Sequence, residues 1–234
     1  MDLGSWAGSV NLDTPAGRLL RKLAAGLPQD RDFEITVFGS APLQILIDAA
    51  FTSADVDLFS DAEELETLVE RAGMGEGQAA LFIQVASELN FRTSPRWRTR
   101  VQSAPIGKCT FHFPHPIDIL IAKLLRLEEK DLAAFHTVIA KTGHPTEAEL
   151  LFELQMAVDL FRPGFDEEQG HDMAANCRRL WPLVFRRELD PSREIIAPAL
   201  QKRREGYGEP GRDHKQELRE AVSKYQVKAS ARKT

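Results

Sequence analysis

The chain has 234 residues, 43% of them hydrophobic and 28% charged, a composition that supports a sizeable core and excludes a disordered or fibrous chain. The formal net charge of −5 gives no general reason to expect a nucleic-acid or membrane partner, although residues 201–234 carry ten Lys/Arg against five Asp/Glu, which makes the tail +5 and the remainder −10. Cys109 and Cys177 lie far apart without metal-ligand spacing, which argues against a disulfide framework or zinc site and fits a reducing compartment.

The N-terminal stretch MDLGSWAGSVNLD has no basic region and no long apolar run, so no secretory signal is expected. No window approaches the roughly 18 apolar residues that span a bilayer, and a cytoplasmic protein without a membrane partner is expected. Residues 14–27 place apolar side chains at helical spacing, with Thr14 to cap the helix, Pro15 in its first turn and Gly26 to end it. Phe33 to Phe38 alternates and contains β-branched residues, the pattern of a strand. Pro42 to Ala50 reads as a short apolar helix and Val56 to Phe59 as a second strand. Asp61 to Arg71 reads as an amphipathic helix with an acidic first turn, followed by Gly73. Residues 78–89 are apolar and fit helix or strand. Between Phe91 and Phe113 two strands are expected, joined by a turn at Ala104–Gly107.

This makes about four strands and three helices, a small mixed sheet. After Pro114 the pattern is helical. Pro116 to Ala140 gives one long helix or two. Thr146 to Phe161 opens with a capping-box pair, Thr146 and Glu149. Asp172 to Phe185, Ser192 to Arg204 and Arg212 to Gln226 are further helices, with fraying expected from Ala229 to Thr234. The fold class expected is α+β: a sheet domain over residues 1–113, then a helical domain over 114–234 with a charged last helix.

The chemistry-bearing residues concentrate in Phe33 to Ser60. Gly39-Ser40 lies between a strand and a helix, where backbone approaches a ligand closely and helix N–H groups are unpaired. A Gly-Ser turn with Ser as cap is also common without a ligand. Asp55 and Asp57 alternate with Val56 and Leu58, so both carboxylates share the face opposite the core-facing pair. Adjacent carboxylates repel unless a cation lies between them, and a metal ion is such a cation. Solvated acids on an exposed strand are the plainer alternative. The combination of turn, helix and Asp-x-Asp strand is more specific than either part.

On these residues the chain resembles the DNA polymerase β-like nucleotidyltransferase superfamily, whose core motif is Gly-Ser, a helix, then Asp-x-Asp. It is most similar to bacterial proteins of the minimal-nucleotidyltransferase and AbiEii-toxin types. Thr52-Ser53-Ala54-Asp55-Val56-Asp57-Leu58 matches their strand with one extra residue before the first Asp. Pro116-Ile117-Asp118 with Lys123-Leu124 and Lys130-Asp131 matches a later helix. The resemblance covers about residues 30–135.

It implies Mg²⁺-dependent transfer of a nucleotidyl group from an NTP to a hydroxyl acceptor: a tRNA, a protein or a small molecule. Asp55 and Asp57 would be catalytic and hold the metal. Gly39 and Ser40 would grip the outer phosphates. Lys123, which interrupts the apolar run from Ile117 to Leu127, would reach the nucleotide site. The chain departs from the pattern in one respect. A third carboxylate is expected on a later strand, yet Asn90 to Ile117 contains no Asp or Glu. A catalytically degenerate fold that binds a nucleotide or partner, as an antitoxin-like or regulatory module, is the alternative. Asp118 is read as a helix cap.

The same acid-free stretch carries Arg96, Arg98 and Arg100 around Trp97. On one strand face, three guanidiniums call for an anion such as a triphosphate or RNA backbone, so Arg96 and Arg98 join the nucleotide-binding candidates. Pairing to nearby acids is the structural alternative. His112 and His115 flank Pro114 and are read as turn residues.

Overall fold

A computed structural model describes residues 6–162 and 171–207. The expected helix at Arg212 to Gln226 and the fraying after Ala229 lie outside the described residues. The elements, in order, are α1 (Pro15–Gly26), β1 (Phe33–Phe38), α2 (Ala41–Leu46), β2 (Asp55–Phe59), α3 (Leu65–Arg71), β3 (Phe82–Val85), β4 (Gln102–Ile106), β5 (Cys109–Phe113), α4 (Pro116–Arg126), α5 (Glu129–Thr142), α6 (Glu147–Met156), α7 (Met173–Phe185) and α8 (Ala197–Tyr207). A π-helical turn, Ser192–Ile196, leads into α8. The α+β class expected from the sequence holds. No described helix is long and apolar enough to cross a membrane.

Five strands form one mixed sheet in the order β3-β2-β1-β5-β4. β2 runs antiparallel to β1 and parallel to β3, with Asp57 in register with Phe38 on one side and Gln84 on the other. β5 runs parallel to β1 and antiparallel to β4. The ambiguous apolar stretch thus resolves into β3, and the sheet has five strands where about four were expected.

Alternation along the strands decides which residues see which layer. Ile35 and Val37 of β1, Val56 and Leu58 of β2 and Ile83 of β3 join one core with α1 residues Leu20 and Leu23. The opposite face bears Asp55, Asp57 and Gln84, with Phe38 at its edge. Phe38 belongs to a second core, built by α4–α7 around Phe135 and Trp181. That core also takes in Phe91 and Trp97, so the sheet's second face and the helices share one apolar interior.

The long helical run after Pro114 is two helices. Leu127, with φ of 46°, breaks it in the left-handed conformation, and α5 restarts after Glu128, whose N–H donates to Asp131 Oδ2 at 3.1 Å. α6 begins with the expected capping box, Thr146 Oγ1 accepting from the N–H of Glu149.

Four local expectations are corrected. Residues Trp97–Arg100 form a 3₁₀ turn instead of a strand, so Arg96, Arg98 and Arg100 do not share a strand face. The hairpin turn is Gly107-Lys108, because β4 continues to Ile106; Gly107 has φ of 60°. The helix expected from Asp61 begins at Leu65. The cap of α4 is His115, whose side chain accepts from the N–H of Ile117, not Asp118.

Asp118 is instead fully buried and ion-paired to Arg100, whose Nε donates to its Oδ2 at 2.7 Å. Arg100 also reaches Glu153 of α6 at 3.0 Å, and Ser94 donates to the same carboxylate at 2.8 Å. This buried cluster ties the 91–100 segment to α4 and α6. Removing one member leaves others charged and unpaired in the interior, which is far more costly than losing a surface pair.

Candidate active site

β1 ends where the chain must turn sharply into α2. Gly39 makes that turn with φ of 69°, a conformation disfavoured for any residue with a Cβ. A second constraint is steric: a Cβ on residue 39 would lie 2.0 Å from Asp57 Oδ2. The glycine therefore lets the Asp57 carboxylate lie directly on the backbone that starts α2. α2 has six residues, and Ser40 at its start makes no side-chain capping bond. Its hydroxyl accepts from Lys123 Nζ at 2.9 Å instead.

Lys123 comes from α4, 83 residues further along the chain. Its Nζ also donates to Asp131 Oδ1 at 3.1 Å. Arg126, one turn later on α4, donates from Nε to Asp131 Oδ2 at 3.1 Å. The Asp131 side chain is fully buried, and the Lys123 side chain is 9% exposed. Burial raises the Asp131 pKa, but the hydrogen bond from Arg126 and the charge of Lys123 outweigh it and hold the carboxyl below its ordinary value. Asp131 is thus a fixed anion that aims two cations at the sheet.

The sheet presents Asp55 and Asp57 to those cations. Asp55 Oδ1 accepts from Ser53 Oγ at 2.8 Å, which orients it. Asp57 accepts no hydrogen bond from the described residues. Burial and the adjacent Asp55 charge push its pKa up to about 6, against the opposing pull of Lys123, Arg126 and Lys130. A half-buried carboxylate without a donor, beside a second carboxylate, fits a divalent cation. Among the described residues no cluster of three or more His, Cys, Asp or Glu forms a metal site. A hard cation here would have two carboxylates as protein ligands and room for further oxygen donors, a set that would suit Mg²⁺.

Two clefts meet at Asp57. One, of about 920 Å³, is lined by Ser40, Thr52, Ser53, Asp55, Lys130 and Thr137. The other, of about 450 Å³, is lined by Phe38, Ala86, Asn90, Phe91, Ile119 and Leu125. Gly39, Asp57, Gln84, Lys123 and Arg126 line both. Both mix polar and apolar walls: the first adds Ser40, Asp55 and Lys130 to the shared residues, and the second adds Asn90, Arg92 and the rings of Phe38 and Phe91.

The structure therefore brings Gly39, Ser40, Asp55, Asp57 and Lys123 together. It places Arg96 and Arg98 elsewhere: neither lines either cleft. Arg96 lies 3.6 Å from Glu153 and over the Phe152 ring, while Arg98 pairs with Glu88 and lies over Trp97. The anions they face are carboxylates of this chain. His112 bonds Glu34 and Ser103 from strand β5. In His115, burial and then the nearby Arg100 charge bring the imidazole down to about 4, so it serves α4 as a neutral cap.

Lys123, Arg126 and Lys130 fall at roughly helical spacing in the sequence, a pattern that for Arg126 better suits a solvated face with Glu128, Glu129 and Asp131 as partners; the fold instead brings Arg126 and Lys130 to the cleft. Sequence reading missed Gln84 altogether, because a lone Gln in an apolar stretch carries no motif. A family model described as a nucleotidyltransferase of unknown function (DUF6036) matches residues 18–153. No curated protein and no solved structure gives a significant match.

Proposed function

Because the chain belongs to the DUF6036 family of nucleotidyltransferases of unknown function, we propose that it moves a nucleotidyl group from a Mg²⁺-bound NTP to a hydroxyl acceptor. The observation that carries this reading is the facing arrangement at Asp57: two carboxylates on β2, and across the cleft Lys123, Arg126 and Lys130. Acids alone would hold a metal, and cations alone would hold a phosphate. Together, across one gap, they suit a metal-bound polyphosphate.

In this reading Asp55 and Asp57 hold Mg²⁺, which would neutralise charge developing on the transferred phosphoryl group. Lys123 and Lys130 receive the outer phosphates in the first cleft. The Gly39-Ser40 backbone approaches them without side-chain obstruction, and the Ser40 hydroxyl is oriented by its bond to Lys123. Asp131 holds Lys123 and Arg126 in place through its hydrogen bonds to both. The second cleft, on the other side of Asp57, receives the nucleoside or the acceptor, with the Phe38 and Phe91 rings among its walls. The acceptor, whether tRNA, protein or small molecule, is open.

A second reading has its own observation. The expected third carboxylate is absent among the described residues, and an amide, Gln84, stands beside Asp57 on β3. A module that binds nucleotide without turnover fits that substitution. Both readings are separated by incubating the protein with each α-labelled NTP, Mg²⁺ and cell lysate, then following label into RNA, protein and small molecules. Transfer that disappears in Asp57→Asn supports the enzyme. Nucleotide binding with no transfer to any acceptor supports the binding module.

A further inference from the structure

Gln84 is the residue on which the two readings turn, and its position is fixed by the sheet. β2 and β3 run parallel, with Asp55 opposite Phe82 and Asp57 opposite Gln84. Residues in register on neighbouring strands point to the same face. Gln84 therefore extends from the sheet beside Asp57, and it lines both clefts with it. It is exposed, unlike its neighbour Ile83, which is buried in the opposite core.

We infer that Gln84 restricts this site to a single divalent ion, held by Asp55 and Asp57, and supplies an amide where a second ion would need a carboxylate. The inference rests on the reading of Asp55 and Asp57 as metal ligands. Charge decides it. Two carboxylates, with the oxygens of the triphosphate, serve one divalent cation, and away from the triphosphate no further anion among the described residues lines the clefts. A second ion about 3.5–4 Å away, the spacing of two-metal phosphoryl-transfer sites, needs a further anionic ligand beside Asp57. The β3 position in register with Asp57 is where such a ligand would stand, and there the chain has a neutral side chain. Across the cleft stand the cations Lys123, Arg126 and Lys130, whose repulsion opposes a second ion further. The Gln84 amide offers one acceptor and two donor hydrogens instead. It can orient an acceptor hydroxyl or a phosphate oxygen without taking its proton. Gln84 is thus a positioning residue.

The test counts ions. The full-length protein is titrated with Mn²⁺ at pH 8 in the presence of one equivalent of a non-hydrolysable NTP analogue, and bound Mn²⁺ is read by electron paramagnetic resonance. One bound ion without spin–spin coupling is expected for the native chain. Gln84→Glu is expected to bind two, with a dipolar-coupled spectrum; Gln84→Ala is expected to keep one. Two coupled ions in the native protein, or one ion in a folded Gln84→Glu variant, overturns the inference. The reading beneath it fails differently: native protein that does not bind the Mn²⁺–analogue complex, or Asp57→Asn that binds it as tightly as the native chain, removes Asp55 and Asp57 as ligands. Because Gln84 is exposed, the circular dichroism spectra of both Gln84 variants and the melting temperature of Gln84→Ala are expected to match the native protein.

Discussion

Gly39 and Asp57 are in direct backbone-to-carboxylate contact: the space a Cβ would take on residue 39 ends 2.0 Å from Asp57 Oδ2. Gly39→Ala must therefore displace the carboxylate and also force a residue with a Cβ to φ of 69°. The backbone strain alone costs roughly 1–2 kcal/mol. The expected outcome is a folded protein with a melting temperature lowered by several degrees and Mn²⁺ affinity reduced at least tenfold. Calorimetric titration and thermal unfolding check both.

Asp57 carries the pH dependence of the site. Its carboxyl, raised to about 6 by burial and then by Asp55, holds its proton more tightly in the folded protein than in the unfolded chain. The sign follows: the group favours the folded state most at low pH, and that contribution is lost as pH rises from the unfolded value near 4 through 6. Asp57→Asn, permanently uncharged, is expected to be more stable than the native chain at pH 8 by about 3 kcal/mol in the absence of metal. The difference is expected to vanish near pH 4. Divalent-ion affinity runs the other way, rising as pH increases through about 6 and levelling above it. Thermal melts and Mn²⁺ titrations across pH 4–8 measure the two slopes.

Lys123 bonds both Ser40 and Asp131, so its removal acts on ligand and fold together. Lys123→Met preserves most of the apolar stem but leaves Asp131 with Arg126 as its remaining side-chain donor. An NTP or tripolyphosphate is expected to bind about 10–100-fold more weakly, the range for losing a charged hydrogen bond. Lys123→Arg is not expected to restore binding, because the planar guanidinium cannot reproduce one ammonium shared between a hydroxyl and a buried carboxylate. Fluorescent-nucleotide titration of the three proteins checks this.

Arg100 is the corresponding element of the structural half. Arg100→Met leaves Asp118 and Glu153 buried without it, at an expected cost of about 3–5 kcal/mol. Burial already raises the Asp118 carboxyl to about 6, and loss of the guanidinium that opposes this shift raises it further. The destabilisation is expected to be larger at pH 8 than at pH 5, where protonation relieves the unpaired charge. Denaturant unfolding at both pH values gives the comparison, and equal loss at both would show that the carboxylates are compensated elsewhere.

The elements read well from the sequence where a local rule has one outcome. Thr14 and Pro15 start α1, and Thr146 with Glu149 starts α6, because caps and first-turn residues act within four positions. The reading failed where alternation was mistaken for a strand. Arg96, Arg98 and Arg100 alternate, but the 3₁₀ turn from Trp97 places Arg100 against buried Asp118 and Glu153. Long-range pairing, invisible in a short window, overrode the local pattern.

The sequence by itself determined the α+β class, the Gly39-Ser40 turn and the shared face of Asp55 and Asp57, since strand alternation and glycine's freedom are local properties of the backbone. The tertiary structure alone decided what faces that pair. Lys123 meets Ser40 across 83 residues, and Gln84 stands beside Asp57 because β3 pairs parallel to β2 in one register. A shift of one residue in that register would have turned Gln84 into the core and brought Ile83 or Val85 to the site.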